Sequence, residues 1–131
     1  MIAGVADTHA AVWSLFGDPR LSPAAREFVD QAADSGRKVV LLVISLAEIV
    51  YLIEKGRLLF SAYEKLREAI RTVDYVEAPL TAGIIEAMRQ VSRADIPDMP
   101  DRIVAATAVY FGVPIISRDA RIRASKLDTI W

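Results

Sequence analysis

Residues 2–13 read IAGVADTHAAVW. The apolar run at 2–6 shows no alternation of polar and apolar positions, so it reads as a strand covered on both faces. Strands of that kind belong to parallel sheets packed between helices. The run stops abruptly at Asp7, with Thr8 and His9 directly behind it. A carboxylate at the point where a strand leaves the core is either a turn residue that caps the next helix or a group that does chemistry.

The same pattern recurs along the chain. VVLLVI at 39–44, VDYVEA at 73–78 and VPIIS at 113–117 are further candidate strands, and TIW at the end adds a short one. Helix start signals lie between them. Ser22 precedes Pro23 as cap and first helical residue. SLAE at 45–48 and SAYE at 61–64 match the capping box, with Ser45 and Ser61 as the expected caps. DMPDRIVAATAVYFG opens on Asp98 and closes on Gly112, an expected C-terminal glycine. Strands and helices alternate in the order expected of a three-layer α/β/α fold with a parallel sheet. With 131 residues the chain is expected to form one domain, residues 1–131. The helix over 45–55 is expected to bury Leu46, Ile49, Val50 and Ile53. Tyr51 and Leu52 lie off that stripe, which suggests a second surface to be covered.

Composition narrows the function classes. Hydrophobic residues make up 53% and charged residues 25%, enough apolar content to exclude a disordered chain. There is no cysteine and one histidine, so disulfides and thiolate zinc sites are excluded. The N-terminus does not read as a signal peptide, and the longest apolar run is too short to span a bilayer. The expectation is a cytoplasmic protein without a membrane partner. The net charge of −1 rules out binding nucleic acid by bulk positive charge, so such a role needs local basic side chains or bound cations.

The acids recur at the strand ends. Asp7 follows the first strand, Glu48 comes just after the second, and Asp119 follows the fourth. Asp98 and Asp101 open the helix that leads into the fourth strand. Ligands of open α/β sheets sit beyond the carboxyl ends of the strands, which gives Asp7, Glu48 and Asp119 a reason to converge. Asp101 joins them if its helix starts over the same edge. Each acid alone reads as a cap or a first-turn acid. Together they repel, at about 4 kcal/mol per pair ~4 Å apart at an effective dielectric of 20. Such a cluster calls for a cation, and an all-carboxylate set suits Mg²⁺ or Mn²⁺. Thr8 and Ser45 are candidates to orient a carboxylate or a metal-bound water, and His9 is expected to play a structural or supporting part. SRDARIRASK supplies Arg118, Arg121, Arg123 and Lys126 as candidate phosphate contacts.

At this point the chain resembles the PIN-domain ribonucleases, and among them the VapC-like toxins of prokaryotic type II toxin–antitoxin pairs. ADTHAAVW, DPRLSPAAREFV, SLAEIVYLIEKGRL, DMPDRIVAATA, ISRDARI and the closing TIW carry the resemblance in their order and spacing. It implies a PIN fold, with Asp7, Glu48, Asp101 and Asp119 as the catalytic, metal-holding acids and Thr8 and Ser45 nearby. It implies RNA cleavage with Mg²⁺ or Mn²⁺, a homodimer, and neutralisation by a small VapB-like antitoxin that blocks the active site. SRADIPDMPDR departs from the family's usual stretch before the third acid, which leaves Asp98 a supporting candidate. Two other readings compete: a non-catalytic PIN-like interaction module, and a phosphoryl-transfer or receiver domain. A receiver would carry paired acids at the first strand end and a lysine after a late strand. Here Asp7 stands alone and Arg118 follows the late strand.

Overall fold

The computed structural model describes residues 1–72 and 74–131. Five strands form one parallel sheet: β1 (Ile2–Ala6), β2 (Lys38–Leu42), β3 (Tyr75–Ala78), β4 (Ile115–Ile116) and β5 (Thr129–Ile130). Their order is β3-β2-β1-β4-β5. The chain works outward from β1 to one edge and then crosses to β4 on the other side. The switch point, where connections on the two sides diverge, is the gap between β1 and β4.

Helices cover both faces. On one side lie α1 (Thr8–Phe16), α2 (Pro23–Asp34), α3 (Val43–Glu54) and α4 (Ser61–Arg71). On the other lie α5 (Ala82–Ala87), α6 (Met99–Phe111) and α7 (Ala120–Ala124). Strand residues divide between the two cores by alternation: Val39, Leu41 and Ile116 face the first helical layer, while Val40, Leu42 and Ile115 face the second. β1 breaks this alternation at an irregularity between Ile2 and Gly4. A Cβ on Gly4 would stand 3.1 Å from the Pro114 carbonyl and 2.9 Å from the Phe28 ring, so the close approach needs glycine.

The three-layer α/β/α arrangement with a parallel sheet is the expected one. Some local expectations are corrected. Ser22 caps α2 by accepting from the Ala25 amide at 3.1 Å, and Gly112 ends α6 at φ 67°. Ser45 and Ser61, in contrast, cap nothing. β2 ends at Leu42, and Val43 and Ile44 already belong to α3, so Ser45 sits within the first turn. α4 likewise begins at Ser61 itself, after Phe60. Val50 is 41% exposed, so the buried stripe of α3 is Ser45, Leu46 and Ile49 with the half-buried Ile53 beside it. The third strand is described over Tyr75–Ala78, and the expected start at residue 73 lies outside the described residues. Helix α7 is the helix implied by reading Asp119 as a cap. Its one fully buried side chain, Ile122, anchors it to the second core. No helix among the described residues is long and apolar enough to cross a membrane.

Candidate functional site

Every acid singled out from the sequence lines one cleft of about 480 Å³ at the carboxyl edge of the sheet. Asp7, Glu48, Asp98, Asp101 and Asp119 share it with Thr8, His9, Trp13, Arg20, Val104 and Arg118. The fold explains the convergence. Asp7 leaves β1 and Asp119 leaves β4, the two strands that flank the switch point. Glu48 comes over from the second turn of α3, and Asp98 and Asp101 from the start of α6.

The choice between cap and chemical tool dissolves for two of these acids, because each has one oxygen for each task. Asp7 Oδ1 accepts from the Ala10 amide at 2.8 Å and caps α1, while Oδ2 accepts from the Ser117 hydroxyl. Asp119 Oδ1 accepts from the amides of Arg121 and Ile122 at 2.9 and 3.0 Å and caps α7, and its other oxygen has no hydrogen bond among the described residues. Glu48 Oε1 accepts from the Thr8 hydroxyl at 2.9 Å. Asp98 caps α6 by accepting from the Asp101 amide at 3.2 Å. The Asp101 carboxylate itself takes no hydrogen bond among the described residues.

Ser117 is the site residue that sequence reading misses. It is fully buried at the end of β4, donates to Asp7 and accepts from the Asp119 amide at 3.0 Å. One hydroxyl thus joins the two acids across the switch point. Ser45, the other hydroxyl candidate, makes no hydrogen bond to a carboxylate among the described residues. Its hydroxyl is buried with no hydrogen-bond partner, and it does not line the cleft. Of the basic candidates, only Arg118 lines the cleft. Arg121 and Arg123 are exposed on α7, and Lys126 borders a separate small cavity with Asp95 and Ser125. Arg20 lines the cleft unanticipated, as does Trp13.

The electrostatics follow from burial and crowding. Burial pushes Asp7 up, against the hydrogen bonds from Ser117 and Ala10, which pull it down. Burial also raises Glu48, opposed by the Thr8 hydroxyl and reinforced by Asp98 and Asp7. Asp101 is pushed up to about 7, first by burial and then by Asp98, Asp119, Glu48 and Asp7. No cleft acid belongs to any of the ion pairs among the described residues. The repulsion is left standing.

That repulsion has a measurable consequence. The folded state holds the Asp101 proton more tightly than the unfolded chain does. Its contribution to stability is therefore complete below about 4 and is lost as pH rises through about 7. Asp7 and Glu48 act in the same direction. In EDTA, denaturant melts should show stability falling across this window. Asp101→Asn should flatten the fall and add about 1–2 kcal/mol at pH 8, a figure reduced for the screening of a partly exposed group. Equal pH dependence in the two proteins would show that the crowding of charge has no energetic weight.

Chemically, the donor set is all hard oxygen, which suits Mg²⁺ or Mn²⁺. The geometry is not a preformed cage. Among the described residues, no group of three or more His, Cys, Asp or Glu side chains is arranged to hold a metal ion. The acids take separate hydrogen-bond partners instead. Mg²⁺ commonly sits on one or two carboxylates and keeps its other ligands as water, a demand that this cleft meets.

A family model described as PIN domain matches residues 5–126. The chain belongs to the PIN domain family. Across 95% of its length it is 26% identical to Ribonuclease VapC22 of Mycobacterium tuberculosis, which is covered to 95% in turn. Two solved structures resemble this PIN domain in fold over 98% of the chain. One is a chain of VapBC2 from Rickettsia felis, solved bound to a DNA fragment from its promoter, at 15% identity, 97% coverage and a TM-score of 0.71. The other is a chain of FitAcB from Neisseria gonorrhoeae, at 20% identity, 96% coverage and a TM-score of 0.62.

The surface beside the acidic cleft is apolar. A second cavity of about 420 Å³ shares Thr8, His9, Trp13 and Arg20 with it and continues over Val12, Phe16, Leu52, Leu58 and Leu59. The two residues of α3 read as one extra surface therefore separate. Leu52 lines this groove half-buried, while Tyr51 is 56% exposed beneath the Lys55 ammonium.

Proposed function

We propose that this PIN domain is a Mg²⁺- or Mn²⁺-dependent endoribonuclease, the toxin of a toxin–antitoxin pair, with residues 1–131 acting as one domain. The observation that carries the reading is the meeting of five acids at the switch point of a PIN-family sheet without one basic ion-pair partner among the described residues. Likeness to Ribonuclease VapC22 supports RNA as the substrate. Likeness to the Rickettsia felis VapBC2 chain supports a VapB-like antitoxin as partner. The apolar groove next to the cleft offers such a partner a place from which to block it, and a homodimer fits the same reading.

In this mechanism Asp7, Glu48, Asp101 and Asp119 would hold the ion. When bound, the ion supplies positive charge for the phosphodiester and for the attacking water. Ser117 and the Ala10 amide fix both oxygens of Asp7, and Thr8 fixes Glu48, so the carboxylates keep their aim. Asp98 shapes the entrance of α6 and sits at the cleft rim.

The test is cleavage of single-stranded RNA by the purified protein. Cutting should appear with Mn²⁺ or Mg²⁺ and vanish in EDTA. Millimolar Mn²⁺ should also raise the melting temperature by about 4 °C or more, since an ion that binds only the folded protein stabilises it. A protein that melts identically with and without Mn²⁺ and leaves RNA intact would instead be a non-catalytic interaction module.

A further inference from the structure

Trp13, on α1, is buried to 5% exposure and holds two guanidinium groups. Arg118 Cζ lies 4.6 Å from its ring centre and Arg20 Cζ 4.9 Å. The two arginines come from distant loops, one after β4 and the other before α2, and both line the acidic cleft. Arg20 is further pinned by Asp18, which accepts from its Nε at 3.0 Å and its Nη2 at 2.8 Å. Arg118 has no hydrogen bond or ion pair from its guanidinium among the described residues.

That last fact is unexpected. A free guanidinium beside five carboxylates would ordinarily close a bidentate ion pair with one of them. Here it stacks on an indole instead, an attraction worth about 0.5–2 kcal/mol by itself. Arg118, with no guanidinium hydrogen bond among the described residues, keeps its N–H donors for a phosphate, and Arg20 keeps those that Asp18 does not take. Trp13 thus holds positive charge at the mouth of the cleft without neutralising the acids inside it.

We propose that Arg20, Trp13 and Arg118 form a clamp for a non-scissile phosphate of the RNA strand, which sets where the strand crosses the acidic cleft. The proposal rests on the ribonuclease reading and names how that site receives its substrate. A strand approaching five carboxylates is repelled, and Arg20 and Arg118 are the arginines of the cleft lining. Both lie against the one Trp13 ring, so they offset this repulsion at a single place in the cleft lining, which fixes the strand's path. Trp13 acts through the arginines as a positioning residue, since its ring is too buried to stack broadly on a base.

The experiment uses full-length protein and a fluorescein-labelled single-stranded oligouridylate. Binding is read by anisotropy in Ca²⁺ across a salt series, and cleavage in Mn²⁺. Arg118→Gln and Arg20→Gln should each weaken binding about tenfold, a loss typical of one charge-assisted contact. Each should also flatten the log Kd against log salt slope by about 0.7, one phosphate contact on a single strand. KM should rise with kcat little changed, because the contact serves ground state and transition state alike. Arg118→Lys should keep the salt slope and recover only part of the affinity, lacking the planar fork. Arg121→Gln, exposed on α7 outside the cleft, should lose less than either. Unchanged slopes in both Arg118→Gln and Arg20→Gln, or an equal loss in Arg121→Gln, overturn the clamp while leaving the ribonuclease reading intact. A wild-type protein that neither binds nor cuts the RNA overturns both.

Discussion

Asp7→Asn, Glu48→Gln, Asp101→Asn and Asp119→Asn should each lower metal-dependent RNA cleavage by at least about a hundredfold, more than is usual for removing a group that merely supports a metal ligand. The fold should survive. The cap oxygens of Asp7 and Asp119 have chemical equivalents in an asparagine, which caps as well as aspartate does. Glu48 serves no cap, so its glutamine variant loses only charge while still accepting from Thr8. Without metal all four variants should melt at or above the wild-type temperature, since each removes one member of a repelling group. In Mn²⁺ they should gain little. Asp98→Asn should lose less, because Asp98 stands exposed at the rim. Cleavage gels and thermal melts on one set of preparations separate the two roles. Wild-type rates in the Asp7 and Glu48 variants would mean that the acids only cap helices.

The parts of this molecule legible in the sequence are those fixed by local chemistry. The unalternating run at 2–6 required cover on two faces, and the Ser22–Pro23 and Asp98–Gly112 boundaries depend on groups adjacent in the chain. The acids were legible because the sheet's connectivity, once inferred, sends every strand's carboxyl end to one edge. The boundary of β2 was not. VVLLVI is apolar throughout, and a short apolar run carries no period to tell strand from helix. The backbone turns into α3 at Val43, and that boundary moves Ser45 from a cap to a buried helical position. Ser61 shows the same weakness, a capping pattern without a cap.

Contacts between distant segments were beyond reach for a different reason. Trp13 and Arg20 carry no signal alone, an apolar helical residue and one charge in a turn, and Arg118 reads only as one of four candidate phosphate contacts. Their meeting depends on how the α1–α2 and β4–α7 loops lie, which residue spacing does not encode. Ser117 was hidden similarly. As the last residue of the candidate strand VPIIS it carries no local mark of a site, whereas Asp119, two places on, stands out as an acid at a strand end. What distinguishes Ser117 is the partner 110 positions away, Asp7.

Removing that hydroxyl should have the second-largest effect on activity. Ser117→Ala deprives Asp7 Oδ2 of its donor and leaves the Asp119 amide without its acceptor. A buried amide left unpaired costs about 1–3 kcal/mol, so the variant should melt measurably lower while remaining folded. Cleavage should fall by about 10–100-fold, as when a group that orients a metal ligand is lost. The pH profile carries the more diagnostic signal. The Ser117 hydrogen bond is the strongest influence pulling Asp7 down against burial. Without it Asp7 holds its proton to higher pH, and the acid limb of the cleavage profile should move upward. Ser117→Thr retains the hydroxyl and should restore both the rate and the profile. Its added methyl in a fully buried position should cost stability alone, about 1–3 kcal/mol. A purely structural serine would give the opposite pattern: the alanine variant would melt lower yet cut at the wild-type rate, with its acid limb unmoved.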